Sequence, residues 1–229
     1  MTLFEKKLDV LVVEDNEEYS EAAKKYLASQ KKIKADFAQD YDSGISKLNS
    51  KKYSGIVTDL FFPKKIGDND IKFGKETVFN LILELGDDNK SLIASLEKWK
   101  KYVGTEKFPE IPDFFEGIHE TLWCGKKLYN AMEEDASNQP LGILIAKAAV
   151  EKDIPCVIAT STYHHNKLAQ LPYLYQCKLY RENKNKGIIH FVDNTLFGSG
   201  GDGDNPFLKG EEKYWGEVFG YLLKEKNGK

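Results

Sequence analysis

The chain begins with an alternation of apolar and polar blocks that predicts strands and helices in turn. LDVLVV at 8–13 is almost entirely apolar and stops at the polar residues EDN, as a strand buried on both faces does. Over 19–27 the apolar positions recur at helical spacing, which indicates a helix with one buried face. The pattern then predicts a strand at 33–38, a short helix at 43–48 and a strand at 55–59. This order predicts a parallel sheet covered by helices.

The alternation is interrupted after the third strand. Between residues 64 and 138 no strand-like run occurs, and the apolar residues form stripes with helical spacing. One stripe lies at 78–85, a second at 92–103 and a third at 114–122. We therefore predict that residues 64–138 form an all-helical insertion into an α/β domain made of residues 1–63 and 139–229.

The alternation resumes beyond the insertion. PLGILIAKAAVEK predicts a helix, IPCVIATST a buried strand, and GIIHFV at 187–192 a fifth strand. The chain closes with EEKYWGEVFGYLLKE, an amphipathic helix. Its predicted inward residues are Tyr214, Trp215, Val218, Phe219, Leu222 and Leu223.

Composition and charge narrow the function classes. The 229 residues carry 33 basic and 36 acidic side chains, for a net charge of −3, which does not favour a nucleic acid or an anionic membrane as partner. The three cysteines are an odd number without metal-site spacing, which favours free thiols in a reducing compartment. No secretion signal and no membrane-length apolar run occurs, so we expect a cytoplasmic protein.

Polar residues with chemical capacity follow three of the predicted strands. Glu14 and Asp15 follow the first strand, Asp59 the third and Thr160 the fourth. In an open α/β sheet, ligands lie beyond the carboxyl ends of the strands, so these groups would meet in one crevice if the first, third and fourth strands are adjacent. Clustered carboxylates repel one another unless a cation neutralises them, and Mg²⁺ suits a site that offers a few oxygen ligands. An aspartate beside Mg²⁺ can also accept a phosphoryl group.

The segments LVVEDN, TDLFFP and IPCVIATS together resemble the receiver domain of two-component response regulators. The resemblance covers roughly residues 8–63 and 139–226. It implies a flavodoxin-like, doubly wound, five-stranded parallel sheet in the order 2-1-3-4-5.

The resemblance also implies roles for individual residues. Glu14 and Asp15 would be the acidic pair at the Mg²⁺ ion, and the Phe61 backbone carbonyl would be a further metal ligand. Asp59 would be the phosphoacceptor and a metal ligand, and Thr160 the hydroxyl that responds to the phosphoryl group. The implied partner is another protein, such as a histidine kinase.

The sequence departs from the family where the fifth strand ends. Receiver domains place a lysine there, which binds the phosphoryl oxygens, whereas this chain has Val192-Asp193-Asn194. We therefore expect a degenerate receiver that acts as a signalling or interaction module, with little phosphorylation unless Val192 or Asp193 is replaced by lysine. The alternative is a working single-domain response regulator phosphorylated on Asp59. In either case, self-phosphorylation and dephosphorylation would be its only enzymatic steps.

A minor alternative is a Mg²⁺-dependent phosphatase of the haloacid dehalogenase type. That class also uses an aspartate nucleophile at a strand end. It needs a second aspartate two residues further on, where this chain has Phe61.

Overall fold

Five parallel strands form the central sheet of the computed structural model, which describes residues 7–85, 119–161, 167–183, 189–192 and 209–227. The strand order is β2-β1-β3-β4-β5, which confirms the predicted order and is consistent with a flavodoxin-like fold. The strands are β1 (Leu8–Val13), β2 (Ile33–Ala38), β3 (Gly55–Thr58), β4 (Cys156–Ala159) and β5 (Ile189–Val192).

The central strands are buried along nearly their whole length. Every residue of β3 and β4 is buried, as are the last four of β1, so the near-continuous apolar runs of the sequence correspond to strands covered on both faces. The register pairs Val13 with Thr58 and Thr58 with Ile158. The carboxyl ends of these three strands are therefore level, and the residues that follow them lie at one edge of the sheet.

Helices cover both faces of the sheet. In the described residues they are α1 (Glu17–Ala28), α2 (Tyr41–Ser50), α3 (Lys72–Leu85), α4 (His119–Glu134), α5 (Gly142–Glu151), α6 (Gln170–Glu182) and α7 (Glu212–Asn227). Helices α1 and α7 pack on one face. The other face is covered by α2, α5 and α6, with α3 and α4 packed against this layer. The predicted inward stripe of α7 is confirmed, with Leu223 partly buried.

The described parts of the predicted insertion are largely helical and join the main core. Val78 and Ile82 of α3, and Leu128 and Met132 of α4, are buried in the same apolar cluster as the residues of α5 and the sheet. The buried ammonium of Lys75 adds a polar contact, since it lies 2.8 Å from a Glu133 carboxylate oxygen on α4. The predicted stripe at 92–103 and most of the stripe at 114–122 lie outside the described residues.

The loop that follows Asp59 is attached to the start of α2. Asp40 caps this helix through the Ser43 N–H, and its second oxygen accepts a hydrogen bond from the Ile66 N–H at 3.0 Å. The Tyr41 N–H donates to the Pro63 carbonyl at 3.3 Å. These contacts hold the segment beyond the third strand against the sheet instead of leaving it as an open connection.

Two further features concern the cysteines and the length of the helices. The three cysteines are free thiols; Cys124 and Cys156 are buried, and Cys177 is partly buried. Among the helices in the described ranges, none combines the length and the apolar character that crossing a membrane requires.

Candidate metal and anion site

The three predicted carboxylates meet at the carboxyl edge of the sheet. Glu14, Asp15 and Asp59 each offer an oxygen, and these oxygens lie within 4.8 Å of one another. The Glu14 N–H donates to the Ala38 carbonyl at 2.9 Å and the Asp59 N–H to the Val13 carbonyl at 2.8 Å. These bonds continue the sheet ladder past the ends of β1 and β3. The backbone of the sheet itself therefore fixes two of the three carboxylates.

A lysine that the sequence analysis did not identify reaches into this cluster. Lys209 lies in the turn before α7, and its side chain is fully buried. Its Nζ is 2.6 Å from Glu14 Oε2 and 2.8 Å from Asp59 Oδ1. Both contacts are close ion pairs of a fully buried ammonium group. An ammonium group has three N–H donors, so two carboxylate partners leave one donor for a further acceptor.

The two oxygens of the Asp59 carboxylate have different surroundings. Oδ1 accepts a hydrogen bond from the Leu60 N–H at 2.7 Å and also contacts Lys209. Oδ2 makes no hydrogen bond or ion pair with any residue in the described part of the chain. The side chain is 11% exposed. One oxygen is thus held in place, and the other is available to bind a cation or to attack an electrophile.

Burial changes the proton affinities of the cluster. Desolvation, reinforced by the charge of Asp59 and opposed by Lys209, raises the pKa of Asp15 to about 7. Desolvation likewise raises the pKa of Glu14, with Lys209 opposing the shift. For Lys209, burial lowers the pKa, but the charges of Asp59 and Glu14 outweigh it, and the net shift is upward. The lysine therefore stays charged, while Glu14 and Asp15 favour binding a proton or another positive charge.

The charge balance of the cluster fits a divalent cation. Three carboxylates face one ammonium, so full ionisation leaves two uncompensated negative charges at a largely buried site. Such charges are costly unless they are paired. Protons or a divalent cation would both supply the missing charge. Oxygen ligands that leave room for water are the donor set that Mg²⁺ accepts, so the residues present fit the predicted ion, and Glu14, Asp15 and Asp59 would hold it.

The chain was compared with family models, curated proteins and solved structures, and no match was found in any of the three. Functional inference therefore depends on the fold and on the geometry of this site.

The remaining predicted site residues lie near the same edge. Thr160 is buried immediately after β4, and its N–H donates to the Val192 carbonyl at 2.9 Å, so it extends the β4–β5 ladder as Asp59 extends β1–β3. Phe61 is partly buried against the core on the α2 side of the sheet. Its carbonyl as a metal ligand, and the Thr160 hydroxyl as the responding group, stay predictions.

The predicted gain of phosphorylation on replacing Val192 or Asp193 by lysine assumes that one of these side chains lies in the acidic site. Val192 is fully buried among the residues of α1 and α7, so its side chain is part of the core under α7. Asp193 lies outside the described residues. A cation does reach the acidic cluster from Lys209, which is remote from the strand end in sequence.

Gly142 packs against the backbone that supports Asp59. Its N–H donates to the Leu60 carbonyl at 3.1 Å. A Cβ atom at this position would lie 1.8 Å from the Asp59 carbonyl oxygen and 2.9 Å from the Leu60 Cα. Both are backbone atoms, so no side chain could move aside to make space. The start of α5 therefore sets the position of Asp59 through a contact that only glycine permits.

We expect Gly142→Ala to lower the free energy of unfolding by about 1–3 kcal/mol or more, because the added methyl group must displace the Asp59 backbone. The matched control is Gly220→Ala in α7, where nothing lies within 4 Å of the added atom. That change should be neutral or stabilising by about 0.5–1 kcal/mol, since alanine favours a helix. Urea denaturation measures both. Equal effects of the two substitutions would show that the close approach at Asp59 is not a constraint.

Proposed function

We propose that this protein is a receiver-like signalling module that accepts a phosphoryl group on Asp59. The observation that supports this over a degenerate receiver is the buried ammonium of Lys209, 2.8 Å from the Asp59 carboxylate. The sequence analysis favoured a degenerate site because Val192-Asp193-Asn194, and not a lysine, stand at the end of β5. A lysine from the turn before α7 removes that objection, since it supplies a cation at the acceptor itself.

The proposed reaction uses the groups of the site as follows. The free oxygen of Asp59, Oδ2, attacks the phosphorus atom of a phosphodonor, such as a phosphohistidine side chain or a small acyl phosphate. A new O–P bond forms while the bond from phosphorus to the leaving group breaks, and the leaving group keeps the bonding electron pair. Water later hydrolyses the acyl phosphate and restores the carboxylate.

The surroundings of Asp59 suit this transfer electrostatically. The bound phosphoryl group would carry about two negative charges beside two further carboxylates. Lys209 would donate hydrogen bonds to its oxygens, a charge-assisted contact that is stronger than a neutral one. A divalent cation held by Glu14, Asp15 and Asp59 would neutralise charge on the same oxygens. The Leu60 N–H keeps Oδ1 oriented, so that Oδ2 remains the reacting atom.

Treatment with Mg²⁺ and acetyl phosphate, followed by intact-mass measurement, tests the proposal. We expect the unmodified protein to gain one phosphoryl group and Asp59→Asn to gain none. The control is Asp36→Asn on β2, which removes a carboxylate that pairs with Lys51 at 2.8 Å and accepts a hydrogen bond from the Tyr53 hydroxyl, and which is not part of the acidic cluster. This variant should be phosphorylated like the wild type. No gain in the wild type, or an equal gain in Asp59→Asn, would contradict the proposal.

The same observation, the buried Lys209 ammonium, also supports a second function. Lys209 already pairs with two of the three carboxylates, and protons on the carboxylates would supply the remaining positive charge, so the pocket would stay neutralised without a metal ion. The protein would then be the degenerate receiver that the sequence analysis favoured, with binding to a partner protein as its output. Absence of any Asp59 adduct in a folded wild-type protein would favour this function.

A further inference from the structure

The turn that contains Lys209 is fixed by a specific contact from α7. The indole N–H of Trp215 donates a hydrogen bond to the Lys209 backbone carbonyl at 2.9 Å. Trp215 is completely buried, and its partner carbonyl belongs to the residue whose side chain reaches the carboxylates. The indole therefore holds the backbone of Lys209, while Glu14 and Asp59 hold its side-chain end.

The neighbouring tyrosine connects the same helix to the strand ends. The Tyr214 hydroxyl lies 3.1 Å from the Thr160 carbonyl and 3.0 Å from the Val192 carbonyl. Adjacent residues at the start of α7 thus contact both the edge of the sheet and the turn that supplies the cation. The position of this helix end and the position of the ammonium group are therefore linked through short, buried hydrogen bonds.

Core packing alone does not account for the Trp215 contact. The indole ring is packed beside Tyr214 and Phe219, and a phenylalanine ring at position 215 could fill much of the same space. The N–H group is the feature that phenylalanine lacks, and it is directed at the Lys209 carbonyl. A buried lysine needs such support, because removing an ammonium group from water is costly unless its position ensures ion pairing.

We propose that Trp215 is a positioning residue, which fixes the Lys209 turn so that the ammonium group reaches Glu14 and Asp59. This inference rests on Lys209 being the cation of the proposed site, but it does not require that Asp59 be phosphorylated. Positioning by Trp215 would also couple the site to α7. By thermodynamic linkage, any ligand that shifts Lys209 also shifts the stability of the start of α7, and the reverse holds equally.

The test is the reactivity of Lys209 toward acetic anhydride, measured for each lysine by mass spectrometry without Mg²⁺ or phosphodonor. In the wild type we expect Lys209 to be strongly protected, because its side chain is fully buried. Trp215→Phe should raise its acetylation rate about fivefold, since losing one buried hydrogen bond increases local opening by about that factor. The matched control is Trp123→Phe, a partly buried tryptophan on α4, which should leave the Lys209 rate unchanged.

An internal control separates positioning from general destabilisation. Lys75 is also buried, with 7% of its side chain exposed, and it pairs with Glu133 between α3 and α4. If Trp215→Phe only weakened the whole fold, the acetylation rates of Lys75 and Lys209 would rise together. A selective rise for Lys209 supports the inference. An unchanged Lys209 rate, or an equal rise at both lysines, overturns it.

A reciprocal measurement keeps the inference testable if Trp215→Phe does not fold. The hydrogen exchange of the Trp215 indole proton is followed by NMR in the wild type and in Lys209→Met. Removing the ion pairs should release the turn and accelerate exchange severalfold, whereas the buried Cys156 amide in β4 should be unaffected. Equal indole exchange in the two proteins overturns the inference. Neither measurement uses phosphorylation, so failure here is distinct from failure of the proposed function.

Discussion

Replacing Lys209 by methionine is expected to lower the yield of phosphorylated Asp59 by about ten- to a hundredfold. Methionine approximates the length and apolar stem of lysine but removes the ammonium group that lies 2.8 Å from the Asp59 carboxylate. A hydrogen bond to a charged group contributes about 1.5–3 kcal/mol, which corresponds to that range of yields. The substitution destabilises mainly the phosphorylated form. Among the described side chains at the site, Lys209 is the one cation that can pair with the added negative charge.

The measurement is intact mass after a fixed exposure to Mg²⁺ and acetyl phosphate, and the matched control is Lys213→Met. Lys213 is four positions further on, at the start of α7, and is exposed. This control variant should give the wild-type yield. Lys209→Arg should recover part of the yield, since it keeps the charge but changes the geometry. An undiminished yield in Lys209→Met would show that another group supplies the cation.

The same variant separates the two proposed functions. If Lys209 serves phosphoryl transfer, the wild type binds Mg²⁺ and is phosphorylated, and removal of Lys209 lowers the phosphorylation yield. If Lys209 instead replaces the metal permanently, the wild type gives no adduct and does not bind Mg²⁺, and Lys209→Met gains Mg²⁺ binding because Glu14 and Asp59 lose a competing cation.

The elements that the sequence predicts correctly are the buried strands and the helices with one buried face. β1 and β3 are apolar runs that end at acidic residues, and helical spacing marks α1 and α7, so the alternation of elements follows from hydrophobic pattern alone. The convergence of Glu14, Asp15 and Asp59 then follows from a parallel register, which places strand ends at one edge. Each of these inferences depends on local periodicity and on one general property of parallel sheets.

The features of the site that the sequence did not predict depend on contacts between segments that are distant along the chain. Lysine is almost always exposed unless it is paired, so nothing in the local sequence FLKGEEKYW marks Lys209 as a buried side chain. Its burial requires carboxylates from β1 and β3 and an indole from α7 at the same point. The sequence likewise does not predict that Gly142 packs against Asp59, because a glycine at the start of a helix is common for many other reasons.

The insertion at 64–138 stays a prediction, although its described parts are largely helical. Helical spacing correctly predicted the buried stripe of Val78, Leu81 and Ile82 on α3. The sequence did not show that this stripe would share a core with the rest of the domain, because an amphipathic face indicates burial without identifying its partner. In the described residues, α3 and α4 extend the layer that contains α5 and α6.

Asp15→Asn is expected to abolish the stabilisation that Mg²⁺ gives to the folded protein. A ligand that binds only the folded state raises the free energy of unfolding, by about 1.4 kcal/mol for each tenfold increase in concentration above its Kd. Asp15 and its two partner carboxylates lie within 4.8 Å of one another, and Asp15 is the most exposed of the three. Its replacement removes a ligand and one negative charge with little change in shape.

Thermal denaturation over a Mg²⁺ series measures this effect, and Asp9→Asn is the matched control. Asp9 lies on the same strand, four residues before the end of β1, where it pairs with Lys51 at 3.3 Å. This control should keep the wild-type dependence on Mg²⁺, because its carboxylate is not part of the acidic cluster. Asp15→Asn should also have a higher melting temperature than the wild type without Mg²⁺, since it removes a carboxylate whose pKa is raised by desolvation and by the charge of Asp59. If Mg²⁺ shifts the melting temperatures of the wild type and Asp15→Asn equally, the cation binds elsewhere on the protein.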